Sequence, residues 1–99
     1  MTEVYVKTMH RGRDTVVAVC DAELLGTTLE GGRAPFTVSE SFYRGTLGYV
    51  EEAIQAMKQA SICNLVGKKI VEAAIESKLV HRRAVIYFGD IPHAQTLKL

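Results

Sequence analysis

Apolar and polar positions alternate along residues 3–9, Glu-Val-Tyr-Val-Lys-Thr-Met, and residues 15–20, Thr-Val-Val-Ala-Val-Cys, are apolar at nearly every position. The first pattern predicts a strand buried on one side, with Val4, Val6 and Thr8 on one face and Tyr5, Lys7 and Met9 on the other. The second predicts a central strand covered on both faces. His10-Arg11-Gly12-Arg13-Asp14 between them predicts a β-hairpin in which Gly12 takes a positive φ. Residues 21–26 carry an acidic cap, two leucines and a glycine stop, which suits one helical turn. Short strands are expected at residues 27–29 and 36–38, the latter held to a strand start or a sheet edge by Pro35. Residues 39–45 repeat the pattern of cap, turn and glycine.

From Tyr49 the period lengthens. Val50, Ala53, Ile54, Met57 and Ala60 recur at helical spacing and form one apolar stripe. A second helix is predicted from Ile62 or Asn64 to Lys78, with Val66, Gly67, Ile70, Val71, Ala74 and Ile75 on one arc and Lys68, Lys69, Glu72 and Glu76 opposite. Residues 84–88 and 94–97, separated by Gly89-Asp90-Ile91-Pro92, predict a closing strand pair. This order of elements predicts one α+β domain over residues 1–99: a two-layer sandwich, with a mainly antiparallel sheet built from both chain ends and two helices on one face.

Composition narrows the function classes. The 99 residues are 47% hydrophobic and 23% charged, enough apolar material for a packed core. Twelve Lys and Arg against eleven Asp and Glu leave a net charge of +1, so any binding to nucleic acid must come from a local patch rather than a global field. No signal peptide or apolar run long enough to span a bilayer is legible, which predicts a cytoplasmic protein away from membranes, with Cys20 and Cys63 reduced. The spacing of His10, His81, His93, Cys20 and Cys63 matches no metal-ligand pattern, so no metal and no cofactor is expected.

Three places combine reactive residue types with special backbone. Cys20-Asp21 lies at a strand end before a helical turn, where the cysteine is either packing or a thiolate activated by backbone N–H groups, and the aspartate is either a cap or an acid. On the predicted helix Asn64 falls on the buried side and must be bonded, while Gly67 allows a close approach; the same segment could hold an anion at a helix N-terminus near Lys68 and Lys69. His93, fixed behind Pro92, has Gln95 on its strand face, a placement suited to local hydrogen bonding, to acid–base catalysis or to ligand contact. Basic residues also cluster twice: Lys7, Arg11 and Arg13 with His10 around the first turn, and Lys78, Arg82 and Arg83 with His81 after the second helix. If these loops share one end of the molecule, they can track phosphates.

Four segments, Cys20-Asp21-x-x-Leu24-Leu25-Gly26, Ser39-x-x-Phe42-Tyr43, Ile62-x-Asn64-Leu65-Val66-Gly67 and Gly89-x-x-Pro92-His93-Ala94-Gln95, resemble in order and spacing the archaeal domain of unknown function 424 family. The resemblance covers nearly the whole chain. It implies a short cytoplasmic archaeal protein without an established biochemical role, whose genes tend to lie near those for translation initiation. Asp90, where glycine is expected, and Cys63, where a small residue is expected, depart from the pattern. Three readings follow. One is a non-enzymatic module that contacts RNA, the ribosome or a translation factor; another is a small enzyme or ligand-binding protein with Cys20, Asp21, Asn64, His93 and Gln95 in one pocket. A third is a homodimer or partner-binding domain joined through a strand edge such as residues 94–97.

Overall fold

The fold is that of a computed structural model, which describes residues 3–98. Strands β1 (Val4–Arg11) and β2 (Asp14–Asp21) form the first hairpin, in register from Val4 opposite Asp21 to Arg11 opposite Asp14. The connection is only Gly12-Arg13, shorter than the five-residue turn expected. Gly12 has φ 61, as a glycine at the first position of a tight hairpin turn requires, and this lets both strands run further than their apolar residues alone indicate.

A single 3-10 turn, Ala22–Leu24, leads to the short antiparallel pair β3 (Thr28–Leu29) and β4 (Phe36–Thr37). Helix α1 (Glu40–Tyr43) follows, its Phe42 N–H donating to the Ser39 hydroxyl at 3.3 Å. Strand β5 (Thr46–Gly48) then pairs with β1 and delivers the chain to α2 (Val50–Lys58). Two carboxylates serve the start of α2: Glu52 accepts from the Tyr49 N–H at 2.8 Å and Glu3 from the Val50 N–H at 3.0 Å.

The remaining elements are β6 (Ile62–Val66), α3 (Lys68–Glu76), a 3-10 turn at Arg82–Ala84, β7 (Ile86–Phe88) and β8 (Ile91–Leu97). The expected single helix from residue 62 or 64 is therefore a strand and a helix broken at Gly67. So short a run, apolar at every position but Asn64, cannot be told from a helical segment by periodicity, and here the place beside β2 decides. β6 fills it, parallel to β2, with Val16 opposite Ile62 and Cys20 opposite Val66.

The six-stranded sheet has the order β5-β1-β2-β6-β8-β7, antiparallel except at β2–β6. Strand alternation sends Val17, Val19, Cys63, Leu65 and Ala94 into one core with Ala53, Ile54 and Met57 of α2 and Ile70, Val71 and Ala74 of α3. Ala18, Cys20 and Val66, on the reverse face, pack against Leu29, Val38 and Tyr43. β2 is thus covered on both sides. The two-layer expectation leaves out this second cluster, which the β3–β4 pair and α1 close. β1 is also not one-sided, because Val6 packs into the first cluster while Tyr5 and Met9 pack into the second.

Pro92 lies inside β8, beyond the two-residue turn Gly89-Asp90, so His93 is a strand residue between Val66 and Ile86 rather than a turn residue. The strand tolerates proline here because the chain opposite is leaving the sheet. The Pro92 carbonyl accepts from the Gly67 N–H at 3.0 Å, and the Gly67 carbonyl, which would have needed the missing Pro92 N–H, instead accepts the first bond of α3 from Val71 at 3.1 Å. Among the described residues no helix is long and apolar enough to cross a membrane.

Candidate functional site

Asp21, at the end of β2, is the buried charged residue of the core, 2% exposed. Its carboxylate accepts from the Lys69 N–H at 2.9 Å and from the Ile70 N–H at 3.1 Å, closing the N-terminus of α3 from a strand 48 residues away in sequence. Gly67 makes room for this. Its φ is 122, and a Cβ there would lie 2.5 and 2.6 Å from the two carboxylate oxygens. Burial raises the Asp21 carboxyl above its usual range, and the two N–H bonds pull against that rise. The anion at this helix terminus is thus the protein's own. Lys68 turns outward to Asp90 at 3.1 Å, with both side chains exposed.

The register brings the remaining pocket candidates onto one face of the sheet. Cys20, Val66 and His93 form one row across β2, β6 and β8, and Ala18, Asn64 and Gln95 form the next. Cys20 and His93 are separated by one strand, so their backbones lie about 10 Å apart. The row carries little reactivity. Cys20 is fully buried, and desolvation followed by the neighbouring Asp21 charge pushes its thiol up to about 12, so it stays protonated at neutral pH. Tyr43, packed in the same cluster, is pushed up to about 12 by burial and then by Cys20. His93 sits edge-on to Phe36 at 5.2 Å and Phe88 at 6.1 Å between ring centroids, and burial lowers its pKa. Asn64 is half-buried on β6 and Gln95 is exposed, so the amide expected to need a partner inside a helix meets water instead. No buried side-chain nitrogen or oxygen among the described residues lacks a partner, and no group of three His, Cys, Asp or Glu could hold a metal ion.

The basic residues divide differently from the two loops. Arg11 and Arg13 stand exposed at the β1–β2 tip. β6 starts beside that tip: the Ser61 hydroxyl donates to Asp14 at 2.9 Å and accepts from the Thr15 N–H at 3.0 Å. α3 leaves the far end of β6 and returns, so Lys78, in the left-handed conformation with φ 61, ends α3 on the tip side of the sheet. Lys98, after β8, donates its backbone N–H to the Ser61 carbonyl at 2.8 Å and its Nζ to the Lys58 carbonyl at 2.8 Å. Exposed cations from the hairpin, α2, α3 and β8 thus gather at one pole, with Asp14 and Glu76 as the acids nearby. Lys58 and Lys98 were not legible as members, because four elements far apart in sequence must end together to place them.

Lys7 and Arg83 stand apart, and Arg82 borders Lys78 across a shallow depression but is engaged by Glu72. The Lys7 Nζ donates to the Ser41 carbonyl at 2.6 Å on the α1 face. Arg82 donates through both terminal nitrogens to Glu72 on α3, each at 3.2 Å, and Arg83 is exposed in the turn before β7. A cleft of about 620 Å³, also absent from the sequence reading, lies between β7 and the loop at residues 31–36. The signal for it was Gly31-Gly32, where two adjacent glycines let a loop lie directly on another element.

Residues 9–99 match the sequence model of a family described as "Protein of unknown function (DUF424)". The chain is similar to a solved structure, "an uncharacterized conserved protein from Methanopyrus kandleri", with 23% identity, a TM-score of 0.79, and coverage of 95% of this chain and 90% of that one. That likeness concerns the fold. No curated protein matches the chain.

Proposed function

We propose, from the premise that the chain belongs to the DUF424 family, that it is a non-enzymatic module that contacts structured RNA, as on a ribosome, through the pole at the β1–β2 tip. The supporting observation is the gathering of Arg11, Arg13, Lys58, Lys78 and Lys98, all exposed, from separate elements at one end of a molecule whose net charge is only +1. A nearly neutral protein that concentrates cations at one pole presents a local field suited to phosphates. The enzymatic reading has weaker support. Its thiol is sealed and protonated, and its carboxylate is held by α3.

The test is binding to purified ribosomes and to an isolated ribosomal RNA hairpin over a series of salt concentrations. Affinity should fall linearly with the logarithm of salt, and Arg11→Glu, Arg13→Glu and Lys78→Glu combined should flatten the slope by roughly two to three. Arg82→Glu, at a residue already held by Glu72, should change it less. Absence of binding near about 50 mM salt, or an unchanged slope in the triple variant, refutes the reading.

A further inference from the structure

Among the described residues the sheet stops at β7, which pairs only with β8. Because the backbone of Pro92 is turned to Gly67 and β6, its partner Tyr87 occupies a position that exchanges no ladder bonds with β8. The Tyr87 N–H and C=O therefore point out of the sheet. Ile86 and Tyr87 are 56% and 51% exposed, large values for such side chains. Ile86 and Phe88 project on the face of His93 and Ile91, beside the cleft, and Tyr87 projects on the α3 face within electrostatic reach of Arg82.

The cleft is a built feature. A Cβ on Gly31 would fall 2.6 Å from the Gly89 nitrogen, and one on Gly32 would fall 2.7 Å from the Phe88 ring. The glycine pair thus presses the loop onto the β7–β8 turn and leaves Arg33, Ala34 and Pro35 as the outer wall. Among the described residues no carboxylate lines this cleft and Arg33 makes no ion pair.

We propose that the β7 edge and this cleft dock an extended segment of a partner protein, which adds as a further strand, places apolar side chains in the cleft and presents carboxylates to Arg33. Backbone groups left open at Tyr87 favour a polypeptide. A stacked nucleobase is disfavoured because Phe36 and Phe88 already spend their ring faces on each other, at 5.1 Å between centroids. A second copy is disfavoured because it would bring identical cationic groups together. This surface is distinct from the basic pole and does not depend on it.

The probe is the capped peptide Glu-Val-Glu-Phe-Glu-Val-Glu, titrated into the ¹⁵N-labelled full chain, with a counterpart carrying lysine for glutamate. Amide shifts should centre on residues 86–88 and 31–36, with a dissociation constant on the order of 100 μM, and the lysine peptide should bind at least about fivefold more weakly. Tyr87→Pro keeps the β8 pairing, since the lost N–H faces outward, yet should weaken binding about tenfold. Arg33→Glu, in an exposed loop, should weaken it about threefold and carries the test if the proline variant does not fold. The proposal is overturned by shifts absent to about 2 mM peptide, by equal binding of the lysine peptide, by self-association that Tyr87→Pro abolishes, or by oligouridylate shifting these same amides where the peptide does not. Loss of ribosome binding with peptide binding intact would sink the basic-pole reading alone.

Discussion

Gly67→Ala removes the space on which the junction of β2, β6 and α3 depends. The new Cβ would meet both oxygens of Asp21 at 2.5 and 2.6 Å, and the residue would have to hold φ 122. That backbone costs a non-glycine residue about 1–3 kcal/mol. Displacing the carboxylate would strip the Lys69 and Ile70 N–H groups of their acceptors, at about 1–3 kcal/mol for each donor left buried. The expected loss is about 3–9 kcal/mol, against a total of roughly 5–15 kcal/mol for a natural domain. Urea titrations followed by far-UV circular dichroism measure it. Gly12→Ala is the internal reference: φ is also positive, at 61, but nothing lies within 4 Å, so only backbone strain of about 1–2 kcal/mol applies. Asp21→Ala combined with Gly67→Ala should cost less than the sum of the two single changes by about 1–3 kcal/mol, because deleting the carboxylate relieves the overlap. A Gly67→Ala loss no larger than that of Gly12→Ala, or strict additivity in the cycle, refutes the account.

Three further outcomes are expected. An unfolded aspartate titrates near about 3.9 and folded Asp21 higher, so the folded state holds more protons in between; stability should decline as pH rises from about 4 through the folded value, a slope that Asp21→Asn removes in urea midpoints. His93 behaves oppositely: burial lowers its pKa, so stability should fall as pH drops from about 6.5 toward the folded value, and the imidazole resonance of His93 should titrate below the usual histidine value of about 6.5. Cys20 and Cys63 are both buried, so a disulfide exchange reagent at pH 8 should react with neither thiol of the native chain at the rate it shows in urea; immediate stoichiometric reaction would refute the sealing of Cys20.

The hairpin and α2 were legible because their information is local: β-branched alternation around Gly12, and a five-residue apolar stripe from Val50 to Ala60. The segment at 62–66 was misread because Ile62, Val66 and Ile70 fit a helical arc as well as a strand followed by a helix. Only the two apolar faces of β2 and the carboxylate of Asp21 choose between those readings, and both lie more than 40 positions away. Gly67 was recognised as a place of close approach, but the approaching group was not. Asn64 inherited the wrong element and hence a wrong demand for a partner, whereas His93 and Gln95 kept their shared face because residues 94–97 were expected as a strand, although that strand begins earlier, at Ile91.

The parallel union of β2 with β6 has a consequence for how the molecule assembles. The first hairpin closes over two residues, but joining Val16 to Ile62 closes a loop of more than 40, an entropic cost of about 3 kcal/mol before any compensating contact forms. The hairpin can therefore appear early, while the centre of the sheet must wait for the intervening segment to organise. On a ribosome the wait is longer still, because β6 keeps one open apolar edge until β8, synthesised after α3 and β7, has emerged to cover it.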